Sequence, residues 1–331
     1  MGTSRTPRTP RTLRTRRTGT ALAVLLLTAL AATSCGRSGE SPEHDLADAR
    51  NPRTPADVLL DSRTAAAPAS VRAYRSTEAR ALAYDAWRQS RAHARRTAAA
   101  RTWGLARAPL LAPLPPAAKP RLTTPRGFET TGGGAGLPPV ITRVPTDEKV
   151  IFLTIDDGKD KDPELIRMMR ELGVPYSAFL SDFLASEDYP YFHEMQDAGV
   201  ALNNHTLTHP NLRLMPYEAQ RREICGQQER LRREFGTAPR LFRPPFGNYN
   251  GDSLRAAASC GVEVVPLWEQ EVFPDRWAYR RASRSFQPGD IVLTHFRGRA
   301  DWKGTMPDVV RQVLRKADAE GFAVARLEDY V

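Results

Sequence analysis

Two groups of residues have the types and spacing of a metal-dependent hydrolytic site. Asp156 and Asp157 directly follow the apolar run 150–153, and His205 and His209 lie four residues apart, 48 residues after Asp157. Imidazole and carboxylate groups are ligands of Zn²⁺ and other divalent first-row metals. Histidines four apart can reach one point if the segment turns helically. Solvated or capping histidines are the alternative, but that reading leaves the carboxylate pair unexplained.

The two aspartates are expected to do different work. Successive residues at a strand end point in different directions, so one can bind a metal while its neighbour faces the substrate water. Gly158 follows them and lets the backbone turn tightly. An Asp-Asp-Gly turn is common in isolation, so this interpretation depends on the histidine pair.

The elements that must position these residues begin at residue 150, where short apolar runs alternate with helical patterns. The pattern predicts strands at 151–155, 176–180, 200–203, 241–243, 262–267, 291–294 and 322–325, and helices at 162–172, 187–198, 217–235, 252–260 and 307–320. This alternation favours an α/β fold whose parallel sheet of about seven strands is open or closed into a barrel. The candidate polar residues fall at the C-terminal ends of strands, where parallel α/β enzymes build active sites.

Four segments resemble the motifs of the NodB-type polysaccharide deacetylases, carbohydrate esterase family four. The similar segments are 154–158 (TIDDG, with Ile155 where Phe is usual), 204–210 (NHTLTHP), 242–247 (FRPPFG, with Phe246 where Tyr is usual) and 291–295 (IVLTH), which correspond to motifs one, two, three and five. Their order and approximate spacing agree with the family, and the resemblance covers residues 144–331.

The resemblance implies a distorted (β/α) barrel and a role for each site residue. The implied metal ligands are Asp157, His205 and His209. Asp156 would be the catalytic base. Arg243 would orient Asp156 and set its pKa through a charge pair, and His295 would be the general acid.

The chemistry of such a site is hydrolysis of an acetyl group. A bound divalent ion, Zn²⁺ or else Co²⁺, Mn²⁺ or Ni²⁺, polarises the acetyl carbonyl and makes a water molecule acidic. Asp156 takes the proton as that water attacks. The metal and a backbone N–H, that of Phe246, stabilise the oxyanion. His295 then protonates the leaving amine or alkoxide, which suits a side chain that ordinarily titrates near pH 6.5.

The fourth family motif departs from its usual form. The family has a Trp, an acidic residue and an Asp-Trp pair that line the acetyl pocket. Here Trp268 is followed by Glu269-Gln270-Glu271, and Arg276 separates Asp275 from Trp277. The resemblance nevertheless implies that Trp268, Asp275 and Trp277 line the pocket.

The aromatic residues of this region allow two interpretations. Trp268, Trp277, Phe246 and Tyr249 either form a wall on which a sugar stacks or belong to the ordinary core. His295 is followed by Phe296, where the family commonly has an acidic residue. The altered fourth motif and Phe296 both bear on substrate preference. Neither change removes a metal ligand, the base or the acid.

The charge of the chain is unevenly distributed. Residues 1–145 carry 23 Lys/Arg and 9 Asp/Glu, a formal charge of +14, whereas residues 146–331 carry 25 and 29, a formal charge of −4. The excess positive charge therefore does not indicate a nucleic-acid partner for the folded domain. The basic segment either associates with an anionic cell envelope or is a solvated linker.

The first 35 residues are typical of an export signal. Six arginines lie between Arg5 and Arg17, and the apolar stretch 21–32 is too short to span a bilayer comfortably. Small residues precede Cys35, which resembles the acylated cysteine of a bacterial lipobox. We therefore expect a lipoprotein on the outer face of the bacterial membrane. A plain cleaved signal of a secreted protein and an uncleaved anchor are the alternatives.

Residues 36–143 are rich in Ala, Arg and Pro and are predicted to be a largely unstructured tether. Residues 75–102 within it are Ala-rich without Pro or Gly and predict a helix. Its thin apolar face suggests that it packs on nothing. Cys225 and Cys260 of the catalytic domain, 144–331, either form a disulfide or remain two buried thiols.

The leading interpretation is a monomeric, metal-dependent enzyme that removes N-acetyl groups from an envelope polysaccharide such as peptidoglycan or a polymer of N-acetylglucosamine. An O-deacetylase of acetylated xylan or another acyl glycan is the nearest alternative. A non-catalytic glycan-binding lipoprotein would be expected to lack Asp156, a metal ligand or His295. A C–N hydrolase of small cyclic amides shares the chemistry, but a surface tether argues against it.

Overall fold

The computed structural model describes residues 69–131 and 136–331, with side chains from residue 77 onward. The predicted export signal and the predicted lipidation site at Cys35 lie outside the described residues. Within the described part of the chain, every helix is too short or too polar to cross a membrane.

The sheet is built around a strand, residues 150–157, in which every residue is buried. The strands are β1 Val140–Ile141, β2 Val150–Asp157, β3 Ser177–Leu180, β4 Ala201–Asn204, β5 Val265–Pro266, β6 Gln270–Val272, β7 Trp277–Tyr279, β8 Ile291–His295 and β9 Ala323–Val324. The main sheet has the order β4-β3-β2-β8-β6-β7, and β9 pairs with the start of β2. All of these pairs are parallel except β6 with β7.

Isolated bridges extend this sheet toward a ring. Asn204 at the end of β4 bridges Phe242 in parallel, and Leu241 bridges Val264 just before β5. From β5 the chain continues into β6, which pairs with β8 of the main sheet. The bridges therefore lead from β4 round toward β5 and β6, and the strands form a distorted barrel, which confirms the predicted α/β architecture. The strand predicted at 262–267 is reduced to β5. Pro266 has no N–H for a ladder hydrogen bond.

Helices cover the outside of the sheet. They are α1 Ala69–Thr102, α2 Pro163–Leu172, α3 Asp182–Ala185, α4 Tyr189–Asp197, α5 Tyr217–Phe235, α6 Gly251–Ser259 and α7 Met306–Glu320. The N-cap of α2 shows why the helices begin where predicted. The Asp162 side chain accepts a hydrogen bond from the Glu164 amide, and Pro163 occupies the first helical position.

The C-terminal end of α1 packs against α2, so the expectation that this helix packs on nothing is wrong there. Ala100 and Trp103 are buried. Arg96 Nε donates to the carbonyl of Leu172 over 2.7 Å, and Trp103 Nε1 donates to Glu171 Oε2 over 2.7 Å. The thin apolar face did not predict this packing because hydrogen bonds from Arg96 and Trp103 supply much of the contact between α1 and α2.

The two faces of β2 enter different parts of the core. Ile151, Leu153 and Ile155 belong to the cluster that includes the apolar faces of α2 and α7. Phe152 belongs to a second cluster with Phe179. By strand alternation Asp156 lies on the same face as Phe152, which places its carboxylate at the end of the barrel interior.

A disulfide between Cys225 and Cys260 settles the two cysteine alternatives. It joins α5 to the residue that caps the C-terminus of α6.

Candidate functional site

Asp157, His205 and His209 converge at the carboxyl ends of β2 and β4. Their ligand atoms all lie within 4.8 Å of one another. His205 Nε2 is 3.5 Å and His209 Nε2 is 3.2 Å from Asp157 Oδ1. That oxygen is buried and has no hydrogen-bond partner among the described residues. One carboxylate and two imidazoles around an unsatisfied buried oxygen fit a divalent first-row metal.

The backbone around Asp157 is turned out of the strand. Asp157 has φ 83° and Gly158 has φ 92°. A Cβ at Gly158 would lie 3.1 Å from the Phe192 ring and 3.2 Å from a Leu180 methyl carbon, so this position requires glycine both for its backbone and for its space.

The second histidine reaches the site through positive-φ residues and not through the helical turn considered above. Thr206 has φ 74° and His209 has φ 57°. Asn204 Oδ1 accepts from the Thr206 amide over 2.8 Å, and Thr206 Oγ1 accepts from the His209 amide over 3.1 Å. These hydrogen bonds from backbone amides to side chains fix the loop conformation, in place of the backbone hydrogen bonds of a helix.

His205 is buried and oriented by a backbone acceptor. Its Nδ1 lies 2.7 Å from the carbonyl oxygen of Arg243, which fixes this nitrogen as the donor and leaves Nε2 for a metal. Burial opposes protonation of the ring, but Asp156 and Asp157 raise the pKa of His205. Although burial alone would raise the pKa of Asp157, the two imidazoles of His205 and His209 beside its carboxylate hold it well below its usual range.

Asp156 faces Arg243 inside the barrel. Arg243 Nη1 donates to Asp156 Oδ1 over 2.7 Å and to Thr154 Oγ1 over 2.9 Å. Its Nε donates to the Pro266 carbonyl over 2.8 Å and its Nη2 to the Leu267 carbonyl over 3.2 Å. Burial lowers the pKa of this guanidinium, and the ion pair with Asp156 opposes that effect. The predicted charge pair is therefore present.

His295 ends β8, directly opposite Asp156 in the register of the parallel pair. Burial is the main cause that lowers its pKa, while Asp157 and Asp156 raise it. Glu271 Oε1 lies 3.6 Å from His295 Nδ1. The Trp302 ring meets the imidazole edge-on at a centroid distance of 6.4 Å.

The residues predicted to line the pocket, Phe246 from the third motif and Trp268, Asp275 and Trp277 from the fourth, divide into two groups. Phe246 lies beside the site, with φ 61° and its ring 4.7 Å from the His209 ring. The Trp268 ring lies 5.9 Å from the guanidinium carbon of Arg243. Both rings therefore lie close to residues of the candidate site.

Asp275 and Trp277 are placed elsewhere. Asp275 is exposed and its one ion pair in the described part of the chain is with Arg276. The Trp277 ring stacks on Tyr279 at 6.2 Å and meets Phe286 edge-on. The structure thus brings Glu271, and not Asp275, to His295. The Trp302 ring, and not Trp277, contacts the imidazole.

Sequence reasoning missed Arg297 as well as the roles of Glu271 and Trp302. Arg297 Nη2 lies 2.5 Å from Asp157 Oδ2, the oxygen turned away from the histidines. A single arginine in an arginine-rich chain carries no signal. Glu271 could have been identified from the sequence, because it lies within the fourth motif. In the structure it pairs in register with Leu293, two residues before His295.

Comparisons with known proteins agree with this geometry. The family model for polysaccharide deacetylases matches residues 143–265. An uncharacterised protein of Streptomyces coelicolor is 39% identical over 199 residues, which cover 60% of this chain and 79% of that protein. A peptidoglycan-N-acetylglucosamine deacetylase of Bacillus cereus is 25% identical over 54% of this chain and 66% of its own length.

A solved structure supports the fold. A peptidoglycan N-acetylglucosamine deacetylase, crystallised with an N-oxidanyl-benzamide compound, superposes with a TM-score of 0.51 and 24% sequence identity. The match covers 58% of this chain and 91% of that one. At this identity the likeness bears on the fold alone.

Proposed function

The chain belongs to the polysaccharide deacetylase family, and on that premise we propose that it is a metal-dependent hydrolase which removes N-acetyl groups from an extracellular or cell-envelope polysaccharide. The observation that carries this proposal is the meeting of Asp157, His205 and His209 with Asp156 and His295 at one end of the barrel.

Asp157, His205 and His209 would hold the metal. Their donor atoms converge on the buried, unsatisfied Oδ1 of Asp157. When bound there, a divalent ion polarises the acetyl carbonyl and lowers the pKa of water. Zn²⁺ is the expected ion, and Co²⁺, Mn²⁺ and Ni²⁺ fit the same donors.

Asp156 would act as the general base. Arg243 fixes the carboxylate through Oδ1, and Oδ2 lies 3.7 Å from His205 Nε2, on the side of the metal ligands. A carboxylate in this position can take the proton of the attacking water, a role that contributes about 10²–10⁴-fold to such reactions.

His295 would act as the general acid. It ends the strand next to the one that carries Asp156, and adjacent strands lie about 4.8 Å apart. The acetyl group would then be within reach of both the Asp156 carboxylate and the His295 imidazole. Protonation of the departing amine by His295 completes the cleavage of the C–N bond. The Phe246 backbone N–H is the proposed donor to the oxyanion.

The N-acetyl preference is supported by the Bacillus cereus relative, whose name gives N-acetylglucosamine of peptidoglycan as its substrate. An O-deacetylase would use the same site and would differ only in the leaving alkoxide. The proximity of Asp157, His205 and His209, the pairing of Asp156 with Arg243 and the presence of His295 beside Glu271 support a catalytic protein over a non-catalytic glycan-binding one.

We further propose export and lipid anchoring through Cys35, supported by the basic and apolar segments that precede it. Labelling with a fatty-acid analogue should mark the wild-type protein in a bacterial host and should be lost in Cys35→Ala. Incorporation that persists in Cys35→Ala would contradict an anchor at this residue.

Acetate release tests the activity. The full chain, stripped of metal and then reconstituted with Zn²⁺ or Co²⁺, is assayed on oligomers of N-acetylglucosamine and on peptidoglycan. Release should require the metal and should fall sharply in Asp156→Asn. Release from O-acetylated xylan alone would favour the O-deacetylase, and release from none of these substrates would overturn the proposal.

A further inference from the structure

A cavity of about 400 Å³ lies beside the candidate site, between residues 127–131 and the loop 247–251. Building on the proposed function, we propose that this cavity is a subsite for a carboxylate-bearing sugar unit next to the acetylated one. The substrate class would then be an acidic glycan, such as peptidoglycan with its lactyl or peptide carboxylates, in preference to a neutral polymer.

One wall of the cavity comes from the segment that the sequence assigns to the linker. The Tyr249 hydroxyl donates to the Phe128 carbonyl over 2.5 Å. A Cβ at Gly251 would lie only 2.8 Å from the Thr131 carbonyl oxygen, so the two segments approach each other as closely as glycine allows. The wall is therefore held against the catalytic domain by specific contacts.

Two arginines give the cavity its charge. Arg213 and Arg280 both line it, and neither has an ion-pair partner among residues 77–131 and 136–331. Glu129, the carboxylate in the same lining, accepts a hydrogen bond from the Gly127 amide over 2.5 Å. Arginine prefers bidentate contacts with carboxylates, so two unpaired guanidiniums in one cavity favour an anionic ligand.

Arg280 is held in place by aromatic rings. Its guanidinium carbon lies 4.7 Å from the Trp268 ring centroid and 5.7 Å from that of Phe128. Cation–π contacts of this kind orient the side chain without neutralising its charge. The guanidinium therefore stays available to a ligand.

Two residues, Gly247 and Trp268, connect the cavity with the candidate metal site. Gly247 lines the cavity and follows Phe246, whose ring packs on His209. Trp268 contacts Gly247, Arg243 and Arg280 and so connects the two regions. A glycan with its acetylated sugar at His209 would place a neighbouring sugar beside the two arginines.

The test measures how removal of the two arginines changes KM and kcat on a neutral and on an acidic substrate. Arg213→Gln, Arg280→Gln and the double variant are assayed on a neutral N-acetylglucosamine tetramer and on soluble peptidoglycan fragments. Arg101→Gln, which removes an exposed charge on α1 away from the cavity, is the matched control. The double variant should raise KM for the peptidoglycan fragments about tenfold with kcat unchanged, and both constants for the tetramer should stay within twofold. Fragments with and without the peptide distinguish the lactyl carboxylate from the peptide carboxylates.

An equal rise in KM on both substrates, or no rise on either, would overturn the subsite while leaving the deacetylase activity intact. If the wild-type protein releases acetate from neither substrate, the proposed function fails. Calorimetric titration of the holoprotein with the peptidoglycan fragments then decides the subsite by itself. Binding that the double variant weakens about tenfold supports it, and undetectable or unaltered binding overturns it.

Discussion

Arg243 Nη1 donates to Asp156 Oδ1 over 2.7 Å, with both side chains buried at the end of the barrel interior. Arg243 also donates to three further oxygens, on Thr154, Pro266 and Leu267. Breaking a buried pair of this kind leaves an uncompensated charge and typically costs about 3–5 kcal/mol. The pair therefore couples the proposed base to the stability of the barrel.

Asp156→Asn separates the chemical role from the structural one. An amide oxygen can still accept from Arg243, but it cannot take a proton from water. We expect kcat for acetate release to fall by about 10²–10⁴-fold while one metal ion per chain is retained. Asp156→Ala should in addition lower the free energy of unfolding by about 3–5 kcal/mol. Loss of the metal in Asp156→Asn would show that Asp156 is itself a ligand.

The metal site can be tested without reference to catalysis. His209 is partly exposed, so His209→Ala should fold but should lose high-affinity Zn²⁺ binding in equilibrium dialysis. In the wild-type protein, free Zn²⁺ at 100 times its Kd should stabilise the fold by about 2.7 kcal/mol, and chelation should reverse this. His193→Ala is the control, since His193 pairs with Glu234 away from the site. Equal stabilisation of both variants would place the metal elsewhere.

The sequence predicted the residues whose position follows from strand ends and strand alternation. Asp156, Asp157 and His295 end two parallel strands that pair in register, so a linear pattern was enough to bring them together. Arg243 was assigned through the family motif, and its charge pair is present.

Residues positioned by loop conformation were not predictable in the same way. After β6 the chain folds back antiparallel into β7, which turns Asp275 and Trp277 away and leaves Glu271 beside His295. Arg297 reaches Asp157 from the segment after β8, where no periodic pattern fixes a direction. Long-range contacts of this kind depend on tertiary packing, which spacing in the sequence does not encode.

Glu271 and Asp275 can be compared directly as partners of His295. Glu271→Gln should lower kcat by about tenfold or more, because the carboxylate 3.6 Å from His295 Nδ1 no longer favours the protonated imidazole. Asp275→Asn, which makes the same chemical change at an exposed position, should leave kcat within twofold. Metal content is measured for both. A larger loss in Asp275→Asn than in Glu271→Gln would restore the assignment made from the sequence motif.

The disulfide should stabilise the domain without entering the chemistry. Cys225 and Cys260 are 35 residues apart, and closing a loop of that length is worth about 3–4 kcal/mol in the chain-entropy account. The double variant Cys225→Ala/Cys260→Ala should therefore show a lower free energy of unfolding by about that amount in urea titrations. Its kcat at 25 °C should be unchanged. Insensitivity of the wild-type protein to a reducing agent, with the variant equally stable, would contradict a bridge that contributes to folding.

Glu328 gives the fold a pH dependence whose sign can be stated. Its carboxylate accepts from Ser177 Oγ over 2.9 Å and from Asn203 Nδ2 over 2.8 Å, and burial raises its pKa although both bonds and Arg326 oppose this. The folded state thus binds the proton more tightly than the unfolded state. The contribution of Glu328 to stability is therefore fully present below the ordinary glutamate pKa of about 4.3 and is lost as pH rises through the folded value.

Glu328→Gln removes this ionisation and should abolish that loss. Its amide oxygen can still accept from Asn203 Nδ2, and its amide nitrogen can donate to Ser177 Oγ in place of the bond that the carboxylate accepted. The variant should be more stable than the wild-type protein in urea at pH 7 and no more stable at pH 4, and each tenfold difference in proton affinity corresponds to about 1.4 kcal/mol. Glu187→Gln, at a side chain that is 64% exposed, should show no such pH-dependent difference. A Glu328→Gln variant that is less stable at pH 7 would mean that the charged form is favoured by its donors and by Arg326 more than burial disfavours it.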